Sequence, residues 1–191
     1  MRRPSDPNDF ESYGLCPEHP RYTVFACATC WTGRIETGDA PNAEAREALV
    51  REARRHLGRP FQRNGRDPVH GGVDCSGLVY LAARGAGLAS VPKLTRAFPR
   101  EFHGDEFLAA WLEIMDEVPI PDEPVVRAAI FPGDVALVAH RGHTSHAGIL
   151  TDEGTWVHAT NWRRRVVEAN VDGHRAMSIR HVLRFREFGE G

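Results

Sequence analysis

The chain has 191 residues, 24 Lys plus Arg against 26 Asp plus Glu, a formal net charge of −2, and 41% hydrophobic residues. That length suits one domain with a small appendage, and the apolar share is that of a globular chain rather than a disordered one. Near-neutral charge leaves no whole-chain footprint for nucleic acid or an anionic membrane, and no apolar run approaches the roughly 20 residues a membrane helix needs. The opening Met1-Arg-Arg-Pro-Ser-Asp-Pro-Asn-Asp9 lacks the apolar stretch of a secretory signal, so synthesis without one is expected.

Residues 1–40 read as a polar tail followed by a cysteine-bearing module, and 41–191 as the main domain; the turn-rich Thr37-Gly-Asp-Ala-Pro-Asn42 marks the boundary. Cys16-Pro-Glu-His19 and Cys27-Ala-Thr-Cys30 are two ligand pairs of x₂ spacing, seven residues apart. A structural Zn²⁺ takes four S/N ligands in a tetrahedron, and each x₂ turn can supply two of them, so a Cys₃His zinc-ribbon-like module is expected from Cys16, His19, Cys27 and Cys30. So short a segment cannot build its own core, and a metal is a physical reason for it to be ordered. The rivals are a redox Cys27/Cys30 pair without a thioredoxin-like context, plain reduced thiols, or an iron–sulfur cluster, unusual with one His.

After Asn42, Ala45, Leu49, Ala53 and Leu57 recur at helical spacing, with Glu44 and Glu47 in the first turn and Gly58 then Pro60 as stops. Residues 61–73 form a Gly-rich loop. Asp74-Cys-Ser-Gly-Leu-Val-Tyr-Leu-Ala-Ala-Arg84 predicts a second helix capped by Asp74 and ended by Gly85 and Gly87. The stretch 89–128 is an irregular insertion among prolines, helical over 107–115. Beyond Pro132-Gly-Asp134 the pattern turns to β, with strands expected at 135–139, 147–151, 155–159, 166–171 and 179–188. Helices first and strands afterwards predict an α+β fold with N-terminal helices packed on an antiparallel sheet.

Cys75 stands in the first turn of the second helix, where free N–H groups and the macrodipole favour a thiolate; a thiol pKa below the usual ~8.5 is expected, and the same N–H groups could take an oxyanion. A thiolate nucleophile needs a base, and the base an orienting group. His146 stands at the entry to one predicted strand and His158 inside the next, and the short turn Asp152-Glu-Gly154 between them could bring the two imidazoles side by side. Gly148 shares the face of His146, which leaves room for substrate. The run His140-Arg-Gly-His143-Thr-Ser-His146 offers a rival metallohydrolase reading, weakened by a loop without a nearby carboxylate.

Taken in order, Gly58-Arg-Pro-Phe61, Asp74-Cys-Ser-Gly-Leu-Val79, Pro132-Gly-Asp-Val135, His146-Ala-Gly-Ile149 and Trp156-Val-His-Ala159 resemble the NlpC-type cysteine peptidases, compact papain-like hydrolases of bacterial cell-wall peptides. The resemblance runs from about residue 44 to the C-terminus. It implies Cys75 as nucleophile, His146 as general base and His158 as its orienting partner, with no cofactor for catalysis. It also implies that Asp74 and Ser76 help hold the free amine of a stem peptide. Phe61 replaces the usual Tyr, and Arg63-Asn-Gly65 the usual Trp-Gly-Gly, so a phenolic hydroxyl is missing from that pocket. In layout the chain is similar to the peptidases of phage and gene-transfer-agent tail tips, through its long segment between nucleophile and base and its ending Val167-Glu … Arg184-Phe-Arg-Glu-Phe188.

The expected function is therefore a peptidoglycan hydrolase carried in a phage-like tail particle, acting in the periplasm or cell wall, with stem peptides and tail hub proteins as partners and no direct nucleic-acid binding. The alternatives are a related Cys/His acyl-transfer or amidase toxin, or a non-catalytic structural adaptor of a tail.

Overall fold

The computed structural model describes residues 40–66, 71–89, 91, 105–118, 130–140, 143–151, 155–170 and 177–189. Cys16, His19, Cys27 and Cys30, and with them the expected zinc module, lie outside the described residues, as does much of the 89–128 insertion.

Helix α1 (Ala43–Arg55) buries Arg46, Leu49, Val50 and Ala53, a stripe at helical spacing. Asn42 precedes it at φ 55 and makes no side-chain cap; its Nδ2 donates instead to the Glu187 carbonyl at 2.8 Å. Leu57, expected on the helical stripe, lies beyond the helix and is 44% exposed. The helix closes at Arg55 because the chain then turns to lie along the sheet edge, Gly58 N donating to Val166 O and Val166 N to Arg59 O. Helix α2 (Cys75–Gly85) starts as expected on an Asp74 cap, and Gly87 takes the left-handed φ of 76 that follows its end.

Within the insertion, helix α3 (Asp105–Leu112) stops short of the expected 107–115 and is followed by strand β1 (Met115–Val118), which the sequence reading missed. The other strands fall close to the expected positions: β2 (Val135–His140), β3 (His143–Leu150), β4 (Thr155–Thr160), β5 (Arg165–Asn170) and β6 (Met177–Phe185), the last running into a 3₁₀ turn, Arg186–Phe188. They form one antiparallel sheet in the order β1-β6-β2-β3-β4-β5. Alternation divides its side chains. Val135, Leu137, Ala147, Ile149, Val157, Ala159 and Leu183 join the core beneath the helices. Ala136, Val138, Leu150, Trp156 and Val182 form a second cluster on the opposite face.

The turn Pro132-Gly-Asp134 is explained by a buried charge network. Asp134, fully buried, accepts from Arg46 and Arg184 at 2.8 Å each and from the amide of Phe131 at 3.0 Å. The Arg46 guanidinium lies 4.7 Å over Phe188 and 5.2 Å over Phe131, and its Nε donates to Pro41 O. One carboxylate thereby ties the start of α1 to the start of β2 and to β6. Asp134 also meets β3: Leu150 N donates to its carbonyl at 2.8 Å, which sets the far end of the strand that carries His146.

Candidate active site

Cys75 opens α2, and its surroundings begin with the Asp74 cap. The Asp74 carboxylate accepts from Gly77 N at 2.6 Å and is also reached by the amides of Asn64 and Ser76 and by the charge of Arg66. Burial outweighs these contacts and holds its carboxyl above the ordinary range. The expected free donors of the first turn are thus largely used, Gly77 and Ser76 by Asp74, and Leu78 N by the Asp74 carbonyl at 2.9 Å. The Cys75 amide is the first-turn donor that the cap does not take. Gly77 has a packing reason as well, since a Cβ there would overlap the Gly65 carbonyl, whose loop lies across the helix start.

The thiol departs from expectation. Burial pushes Cys75 up to about 11, and the neighbouring Asp74 charge pushes the same way, against the Ala147 amide and the hydroxyl and amide of Ser76. A helix N-terminus lowers a thiol pKa and apolar burial raises it, and at Cys75 burial is the larger effect. Here the cap residue is itself an anion and the sulfur is packed against the core.

The Ala147 contact locates the thiol against β3, one residue from His146. Among the described residues the β3–β4 ladder covers only Ile149–Val157 and Leu150–Trp156, so the strands part beyond Ile149. Across that parting His146 Nε2 and His158 Nδ1 lie 2.8 Å apart, the side-by-side imidazoles that the sequence spacing implied. His158 is fully buried, whereas His146 is half-buried. In the β2–β3 register Val138 faces His146 and Ala139 faces Thr144, which leaves Ser145 as an extra residue directly before the histidine. Such a bulge bends a strand and re-aims the neighbouring side chain.

The room expected above Gly148 is taken. A Cβ on Gly148 would overlap the Trp156 ring. The indole stacks on His158 with ring centroids 4.1 Å apart and 16° between planes, and meets the edge of His146 at 5.3 Å. Trp156 thus holds both imidazoles, and sequence reasoning did not single it out. The available signal was its position two residues before His158, opposite a strand that carries Gly148 on that face.

Phe61 is half-buried against the helix-side core; its amide donates to Arg164 O at 2.8 Å, and it bridges Val73, two residues before Cys75. Asp74, Ser76 and Phe61 are therefore brought to the nucleophile end of α2. His140 and His143 are not in a loop, as expected, but pair across the β2–β3 hairpin. Among the described residues no three His, Cys, Asp or Glu side chains converge as a metal site.

A thiol at a helix start, against a strand whose histidine is bonded to a second histidine, is equipped for nucleophilic acyl transfer. The model of the NlpC/P60 family matches residues 58–185. The chain is 32% identical over 117 residues to probable endopeptidases of Mycobacterium tuberculosis and Mycobacterium bovis, an alignment covering 61% of this chain and 24% of theirs. The chain thus spans about a quarter of the length of those relatives. Among solved structures, an N-acetylmuramoyl-L-alanine amidase from Bacteroides uniformis superposes with a TM-score of 0.51 at 10% identity, over 74% of this chain and 99% of that one. The peptidoglycan hydrolase RipB from Mycobacterium tuberculosis gives 0.49 at 21% identity, over 95% and 90%. The chain belongs to the NlpC/P60 family, with the α+β fold of helices on an antiparallel sheet.

Proposed function

We propose that the chain is a cysteine peptidase that hydrolyses amide bonds in peptidoglycan stem peptides or their cross-links. The observation that carries this reading is the 2.8 Å contact between His146 and His158 beside the strand position that meets the Cys75 thiol. With His146 Nε2–H donating to His158 Nδ1, His146 Nδ1 serves as the base in this reading. It takes the Cys75 proton as sulfur attacks the carbonyl, and returns it to the leaving amine. Water then attacks the thioester, giving its proton to His146 and releasing the acid as sulfur is reprotonated. In this reading the Cys75 amide, which the Asp74 cap does not take, donates to the developing oxyanion. Burial holds the thiol above its ordinary range, so in this reading the proton moves in the attacking step.

In this reading Asp74 and Ser76 hold the free amine of the stem peptide and Phe61 lines that pocket, supported by their positions at the start of α2. The enzyme reaches the wall in a phage-like tail particle, bound to tail hub proteins, and acts in the periplasm or cell wall. The support is the long segment between Cys75 and His146 and the ending from Val167 to Phe188. Cys16, His19, Cys27 and Cys30 hold one structural zinc, supported by the donor set and its spacing. Metal analysis of purified protein tests that site, and substoichiometric zinc from zinc-replete medium would remove it.

The function is tested by digesting purified sacculi with the chain and with Cys75→Ala, and identifying products by mass spectrometry. Stem-peptide fragments from the unaltered chain alone are the expected result. Intact sacculi in both arms would overturn the peptidase.

A further inference from the structure

The turn between β4 and β5 carries Trp162, which is 83% exposed, followed by exposed Arg163, Arg164 and Arg165. Among the described residues no carboxylate pairs with these three arginines, nor with Arg63, exposed on the neighbouring turn. The chain as a whole is slightly acidic, so this cluster is a local departure from its charge balance. Arg164 also sits at φ 55, a left-handed position that physically favours Gly or Asn over a long side chain.

The cluster adjoins the candidate site through the backbone. Arg164 O accepts from Phe61 N, Pro60 bridges Arg165, and Val73 N donates to Pro60 O, two residues from Cys75. On the sheet itself Arg165 faces Thr160 while Val167 faces His158, which puts Arg165 on the face of the histidine pair, two positions along.

We propose that Trp162 and Arg163–Arg165 form a docking ridge for an anionic peptidoglycan strand, seating the wall near the Cys75 end of α2. This rests on the peptidase reading, and it names what that site grips beyond the scissile bond. Stem peptides present free carboxylates, which guanidinium groups bind with paired N–H donors. An exposed indole supplies a flat apolar face for a sugar ring alongside them.

The test uses the full chain carrying Cys75→Ala, so that the wall survives, pelleted with sacculi stripped of phosphate polymers by hydrofluoric acid. Binding at low salt should fall about fivefold or more at high salt, because the contact is between exposed charges. Arg163→Gln with Arg164→Asn and Arg165→Gln should weaken it by a similar factor with the melting temperature unchanged, and Trp162→Ala should weaken it too. Converting the sacculus carboxylates to methylamides should abolish it. Unchanged binding by the arginine variant, survival of binding after carboxylate blocking, or displacement by duplex DNA at equal charge would each overturn the ridge. Digestion of sacculi by a chain whose binding ignores these arginines removes the ridge and leaves the peptidase. Ridge-dependent binding without any digestion by the unaltered chain does the reverse.

Discussion

The indole of Trp156 occupies the space that a side chain on Gly148 would need, and from there it stacks on His158. The glycine is thus a condition for the histidine pair and not an open pocket. Gly148→Ala should force the ring, and with it His158, to shift. Overpacking of this kind costs about 1–3 kcal/mol, and digestion of sacculi, if the proposed activity holds, should drop by more than the fraction unfolded. Denaturant midpoints and sacculus digestion measured on the same preparation check both parts. A variant as stable and active as its parent would refute the packing account.

His158 contacts His146 through Nδ1. His158→Asn or His158→Gln can still offer a hydrogen bond to His146, whereas His158→Ala cannot, so kcat should fall least for the amide variants, with KM little changed. Equal loss in all three would assign His158 to packing alone.

Burial and Asp74 raise the Cys75 thiol to about 11, so thiolate is scarce at neutral pH and grows about tenfold per pH unit below that value. Alkylation of Cys75 by iodoacetamide should therefore climb steadily from neutral pH into the alkaline range. A plateau reached below about pH 7 would instead reveal a resting thiolate–imidazolium pair.

Asp134 is the shared anion of Arg46 and Arg184. Asp134→Asn keeps the shape of the turn but leaves the buried guanidinium of Arg46 without a counter-charge, an error worth roughly 3–5 kcal/mol. Chemical denaturation should show it as a lower midpoint. The loss should extend to activity, because the Asp134 carbonyl also anchors β3 at Leu150. A change within about 0.5 kcal/mol would mean the network contributes nothing net.

Local rules carried far along this chain. The Asp74 cap, Leu49 and Ala53 on the buried stripe of α1 and the five strands from β2 to β6 follow from side chains within one turn or one pleat of each other, so they were legible in the residues, whereas the burial of Arg46 was not. The motif order joined Cys75, His146 and His158; the fold bonds the two histidines to each other and sets the Cys75 thiol against the Ala147 amide, one residue from His146. What remained hidden depends on partners far away in sequence. β1 is four residues, Met-Asp-Glu-Val, with no periodicity to read, and it is a strand because β6 offers it an edge. The bulge at Ser145 comes from the pairing of β2 with β3, and the filled space above Gly148 from a residue on β4. The thiol's pKa went up rather than down because burial against the sheet outweighs a helix dipole whose first donors Asp74 has already taken. Backbone preference and capping act over a few residues and are written in them, whereas burial, register and charge pairing are properties of the assembled sheet.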